Sequence, residues 1–159
     1  MSSWRETVTG VLRGYSQDEL ARRLLEESHL TERQLQALLI DFSSEEIAQI
    51  PVKYEEKAQT MLRPLTRGAY NRTLAQARRN VTRAFFTLYV LGYVGLLDLG
   101  ELSEHMRLGD ELKSYVDLYL GNRAAGPERQ RVLSSVHRQL VDRVESLARP
   151  SSLRPSLTM

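Results

Sequence analysis

Five arginines stand in the stretch RGAYNRTLAQARRNVTRAFF, residues 67–86, with no acidic residue among them. A guanidinium binds phosphate oxygens or a guanine edge through two parallel hydrogen bonds, and a carboxamide can do the same for adenine. Asn71 and Gln76 lie among these arginines. Nothing in the row is a nucleophile or an acid–base pair at neutral pH. Its chemistry is the capture of a polyanion.

Residues for bond-making chemistry are sparse elsewhere. His29, His105 and His137 are scattered, and Glu101 with His105, four apart, has no evident third ligand for a metal. The chain has no cysteine, which removes disulfides, thiolate ligands and a thiol nucleophile. No glycine-rich phosphate loop and no nucleophile elbow is present. The expectation is a protein without catalytic residues, metal or cofactor.

The net charge of +2 conceals a strong division. From Lys57 to Leu97 there are 41 residues without Asp or Glu, carrying Lys57, Arg63, Arg67, Arg72, Arg78, Arg79 and Arg83, or +7, so the remainder sums to −5. A basic segment inside an acidic chain is the pattern of a localised polyanion site. The start, MSSWRETVTGVLRGYS, lacks the apolar run of a secretory signal. The longest nearly uncharged apolar run, Ala84 to Leu97, is shorter than the ~20 residues of a membrane helix. A cytoplasmic protein without a membrane span is expected.

The elements that would position the arginines read as helices throughout, and the fold class is all-α. Four capping-box patterns, opening at Ser3, Ser16, Thr31 and Ser43, divide the first fifty residues into helices near 4–13, 17–28, 32–42 and 44–49. Leu20, Leu24 and Leu25 line the second, and Leu35, Leu38, Leu39 and Phe42 the third. A helix over 52–62 buries Ala58, Met61 and Leu62. Pro64 then forces a turn, and Thr66 can cap a long helix ending near Leu91. That helix buries Tyr70, Leu74, Ala77, Val81, Ala84 or Phe85, and Leu88. A helix over 102–120 turns Leu102, Met106, Leu112, Val116 and Tyr119 inward. After a loop at 121–126, a last helix has Val132, Leu133, Val136, Leu140, Val144 and Leu147 as its stripe. The Pro- and Ser-rich tail, 149–159, reads as disordered.

Opposite the apolar stripe of the long helix lie Arg72, Gln76, Arg79 and Arg83. A solvated helix face normally mixes signs, because Glu–Arg pairs four apart add a few tenths of a kcal/mol. This face has none, so either an anionic partner meets it or Glu45, Glu46, Glu55 and Glu56 of neighbouring helices neutralise it. The order of parts from about 52 to 91 favours a helix-turn-helix: a first helix near Ala58, a turn at 63–66, then the basic helix. Ala58 falls where the two helices approach, and Leu65 and Tyr70 fall where apolar side chains fill the angle. In that arrangement Arg67, Asn71 and Arg72 read base edges, while Lys57, Arg63, Gln76, Arg78, Arg79 and Arg83 meet phosphates.

The residues from Leu30 to Arg79 resemble the promoter-reading helix-turn-helix domain of bacterial sigma factors and related archaeal transcription regulators. In that family an "LTERQ" opening precedes an "EEIA" helix and a basic recognition helix. Here Thr31 to Gln34, then both Glu45 to Ala48 and Glu55 to Ala58, then Thr66 onward match in order. The resemblance implies a DNA-binding transcription regulator. Two departures stand: the usual turn glycine is missing, and the turn with Pro64 is about two residues longer than in the family. The later register is preferred because the earlier one would begin its reading helix with Glu55 and Glu56.

The expected organisation is therefore a helical domain over 1–99, a C-terminal helical pair over 100–148, and a tail. The pair either completes the core or forms a homodimer interface. Duplex DNA is the expected partner. An acidic protein of the transcription or translation machinery is the alternative. An anionic membrane surface meeting Arg78, Arg79, Arg83 and the run from Phe85 to Leu97 is a third reading. RNA ranks below duplex DNA, because the basic segment offers little aromatic surface beyond Tyr70 for stacking.

Overall fold

The computed structural model describes residues 3–97, 102–121 and 126–149. They form seven helices: α1 (Trp4–Gln17), α2 (Glu19–Glu26), α3 (Glu32–Ala48), α4 (Tyr54–Thr60), α5 (Arg67–Tyr93), α6 (Ser103–Gly121) and α7 (Pro127–Leu147). No strand occurs among the described residues, so the chain is all-α. Contacts divide it into two units, 1–86 and 87–159. The division falls inside α5, after Phe86, whereas the sequence suggests a boundary near residue 99.

The first unit is built from local signals that mostly match its sequence. The Ser3 amide donates to Glu6 Oε2 at 3.1 Å, opening α1. Thr31 and Gln34 form the full reciprocal box at the start of α3, with bonds of 3.0 and 3.3 Å. Two other boxes do not form. α1 runs through Ser16, and α2 is capped instead by Asp18, whose carboxylate accepts from the Ala21 amide at 2.7 Å. α3 passes uninterrupted through Ser43 and Ser44, since no Pro or Gly lies between Glu32 and Ala48 to break it. It stops at Gln49, in the left-handed region with φ of 53°.

Val8 and Leu12 of α1, Ala37 and Ile40 of α3, Ala58 of α4, Met61, and Tyr70 and Leu74 of α5 make one buried cluster. The inward face of α3 is thus Gln36, Ala37, Ile40 and Ser44, at steps of one, three and four. Phe42, expected inside, is 77% exposed because it lies about 140° around the helix from Ala37. In α5 the buried stripe is Tyr70, Leu74 and Ala77; Val81, Ala84 and Phe85, expected to extend it, are exposed. Tyr70 locks α5 onto α3 through its hydroxyl, which donates to the Ala37 carbonyl at 3.1 Å.

The link between α4 and α5 is held at several points. The Leu65 amide donates to the Ala58 carbonyl at 3.1 Å, and the Leu62 amide to buried Gln36 at 3.3 Å. Thr66 caps α5 by accepting from the Ala69 amide at 3.2 Å. α4 itself is two turns at most, shorter than the expected 52–62, with Lys53 rather than Val52 at its start.

In the second unit α6 packs on α7, burying Leu108, Tyr115, Leu140, Val141 and Val144. Arg143 pairs with Glu111 across the two helices. Met106 and Val132, expected inward, are exposed. Met106 precedes Leu108 by two residues and so points about 200° away from it. Of the loop expected at 121–126, Gly121 closes α6 and residues 122–125 lie outside the described residues, as do the side chain of Tyr119, Glu101 and the tail from residue 150.

Candidate nucleic-acid interface on α5

The nine residues expected to meet nucleic acid fall into distinct environments. Lys57 is the clearest correction. Its side chain is 3% exposed, and Nζ donates to Asp41 Oδ1 at 3.0 Å and Glu45 Oε1 at 2.9 Å. Desolvation opposes its charge, but the bonds to Glu45 and Asp41 outweigh it and raise the pKa. A lysine committed in this way has no ammonium to offer a phosphate. The reason is tertiary, since α3 brings two carboxylates to a side chain at the middle of α4.

Two arginines are also held by carboxylates, but at the surface. Arg67 Nη1 lies 2.9 Å from Glu55 Oε1, with both side chains more than half exposed. Glu55 has a lowered pKa, from its own backbone hydrogen bond first and then from Arg67. Arg78 Nη2 pairs with Asp41 Oδ2. Asp41 therefore serves Lys57 with one oxygen and Arg78 with the other. Of Glu45, Glu46, Glu55 and Glu56, expected as the alternative neutralisers of the arginine face, Glu45 pairs instead with Lys57 and Glu55 with Arg67. Neither is paired with Arg72 or Arg79.

Arg72 and Arg79 lie elsewhere. With Arg33 from the first turn of α3 they line an open groove of about 660 Å³, whose other walls are Thr31, Gln34, Asn71, Thr73, Ala75 and Gln76. No acidic residue lines it. Among the described residues, none of these three arginines has a carboxylate within salt-bridge distance. Arg83, seven-plus-four residues beyond Arg72 through Arg79, shares their face to within about 40° of helical arc. Asn71 is half-buried, and its Oδ1 is buried without a hydrogen-bond partner. Arg63 is exposed in the α4–α5 link.

A chain of carboxamides fixes this groove. Arg79 Nη2 donates to Gln76 Oε1 at 2.8 Å, and Gln76 Nε2 donates to Asn80 Oδ1 at 3.1 Å. Asn80 Nδ2 then reaches the His29 carbonyl at 2.8 Å and Gln34 Oε1 at 3.2 Å. Gln76, expected at a phosphate, instead aims Arg79. Asn80 ties the middle of α5 to the entrance of α3. Neither Asn80 nor Arg33 is singled out by the sequence. Arg33 sits inside the capping motif Thr31 to Gln34, where its proximity to α5 has no local signature.

The start of α3 adds the positive end of its helix dipole to the same groove. The arrangement can hold an anion by charge and by directed N–H groups. Among the described residues no group of three His, Cys, Asp or Glu side chains could hold a metal ion. No helix among them is long and apolar enough to cross a membrane. No family model matches the chain, no curated protein matches it in sequence, and no solved structure matches its fold.

Proposed function

We propose that the protein is a transcription regulator that docks on duplex DNA with the outward face of α5. The observation that carries this reading is the groove shared by Arg33, Arg72 and Arg79, which no acidic residue lines. Arginines left without internal carboxylates on one face repel one another, and that arrangement gains from a polyanion. The helix-turn-helix assignment to α4, the link and α5 is supported by buried Ala58 and Tyr70 and by half-buried Leu65 between them. With Arg67 tied to Glu55 and Asn71 Oδ1 buried, base reading falls to Arg72, near the start of α5. Arg33, Arg79 and Arg83 meet phosphates.

The test is fluorescence anisotropy of a labelled random duplex at two salt concentrations. Wild type should bind with affinity that falls steeply with salt. A triple Arg33→Ala, Arg72→Ala, Arg79→Ala variant, with unchanged helicity, should lose affinity and about 0.9 of log–log slope per phosphate contact removed. Lys57→Ala should reduce thermal stability and leave the slope unchanged, because its ammonium never faces the ligand. If wild type does not bind duplex at low salt, the reading fails, and the arginine row is left to an acidic protein surface.

A further inference from the structure

We infer that the cleft enclosed by α1, α2 and α3 is a binding site for a small neutral aromatic molecule carrying one hydroxyl, a phenol, and that its occupancy is felt in the arginine groove. The ligand site is independent of the DNA reading above, and the coupling rests on it. The cleft exists because α2 has eight residues and packs on α1, while α1 packs separately on α3. Buried Leu12 of α1 and half-buried Leu25, Leu35 and Leu39 of α2 and α3 form its apolar lining, around a volume of about 110 Å³. An apolar cavity of about 150 Å³ takes up one benzene. This one is somewhat smaller but open to solvent, so a six-membered ring fits with its substituent at the mouth.

The polar side chains around the cleft choose that substituent. Gln36 is committed: its Nε2 donates to Glu32 Oε1 at 3.2 Å, and its Oε1 accepts from the Leu62 amide at 3.3 Å. Arg22, the cation of the lining, is held by Glu26 at 3.0 Å, and Ser16 is exposed at the rim. The Tyr15 hydroxyl has no hydrogen-bond partner among the described residues. Burial first, and Asp18 second, raise its pKa, so it stays a neutral donor and acceptor at physiological pH. With Arg22 neutralised, Glu32 leaves the lining net negative, which repels a carboxylate. An ammonium would have to leave water for four leucines. A neutral hydroxyl can bond the Tyr15 oxygen while its ring covers the leucines.

α3 carries the consequence to the arginines. Glu32, Leu35 and Gln36 line the cleft, whereas Thr31, Arg33 and Gln34, at the same entrance, line the groove with Arg72 and Arg79. Gln36 also holds the Leu62 amide, in the link from which α5 starts. A ring wedged between α2 and α3 would push on the turn that presents Arg33 and on the bond that seats the link. Occupied and empty protein then hold the groove differently, and that difference is what lets one ligand alter the binding of another.

The experiment titrates phenol into the isotope-labelled full chain, followed by amide NMR. The shifts should saturate with a Kd of about 0.1–3 mM and concentrate on α1, α2 and the first half of α3. Ala21→Leu, which fills the cleft from α2, should abolish them. Tyr15→Phe keeps the ring; it should weaken phenol about three- to ten-fold and leave toluene unchanged, and it stands as the test if Ala21→Leu does not fold. Benzoate should bind at least about ten-fold more weakly than phenol. Shifts that do not saturate by about 10 mM overturn the site, as do shifts undiminished in both variants or benzoate binding as tight as that of phenol. Duplex affinity with and without saturating phenol should differ at least about five-fold. An unchanged affinity overturns the coupling. If wild type binds no duplex at all, the DNA reading fails and the coupling with it, while the phenol titration still decides the site.

Discussion

Tyr70 is the largest of the fully buried side chains in the first unit. It is fully buried, it crosses from α5 to the α3 backbone, and its ring sits 6.3 Å from that of Tyr54. Burial above all, with Asp41 adding to it, pushes its phenol pKa well above the ordinary 10.0. A phenol whose pKa rises on folding stabilises the fold in its neutral form. Its contribution is complete below pH 10.0 and is lost as the pH climbs through the raised value. Lys57 has the same sign, complete below its ordinary 10.5 and lost above it. Thermal stability should therefore fall steeply above about pH 10. Tyr70→Phe should cost about 1 kcal/mol at neutral pH, from one buried hydrogen bond. It should also flatten part of the alkaline loss, which a melting series from pH 8 to 11.5 would read. An equally steep loss in the variant would mean that other groups govern it.

At the scale of elements, the helix entrances are where the chain commits itself. The Thr66 hydroxyl accepts from the Ala69 amide in the first turn of α5, and its loss leaves that amide unsatisfied at the point where α5 leaves the link. Thr66→Ala should destabilise the first unit by about 1 kcal/mol, read by urea melting, with little change in the midpoint slope. A neutral effect would show that packing of Leu65 and Tyr70 alone sets the start of the helix. Helix type, most termini and the Tyr70, Leu74 and Ala77 stripe were legible because they depend on residues within one or two turns. Ser43 and Phe42 misled for the same reason. A capping pattern is permissive in a helix that nothing breaks, and a large apolar side chain counts as core only if a neighbour covers it. The candidate site was half legible. Arg72 and Arg79 follow from helical spacing, whereas the burial of Lys57, the tether from Asn80 and the approach of Arg33 depend on how α3 meets α4 and α5.

For the whole molecule, the two units differ in how much they bury. The first has a cluster drawn from four helices, with Val8, Ala37, Ile40, Ala58 and Tyr70 at or near zero exposure. The second packs two helices on each other and, among its described residues, buries five apolar side chains to below a tenth. Opening free energies follow buried apolar contact. Amide hydrogen exchange should therefore be slowest in α1, α3 and the first three turns of α5, and faster by about one to two orders of magnitude in α6 and α7. Equal protection in both units would show that α6 and α7 gain stability from a contact beyond the one they make with each other.

Asp41 introduces a competition into this surface. Its two oxygens divide the cations of α4 and α5 between a permanent tenant, Lys57, and a removable one, Arg78. A polyanion on α5 would meet Arg72 and Arg79 at once, but it would have to outbid a carboxylate for Arg78. Releasing that arginine would not orphan Asp41, which keeps Lys57. Under the proposed docking, Arg78 would be a cation in reserve, engaged only by ligands dense enough in charge to displace Asp41. On the proposed reading, weakly charged anions would meet Arg33, Arg72, Arg79 and Arg83, and strongly charged ones Arg78 as well.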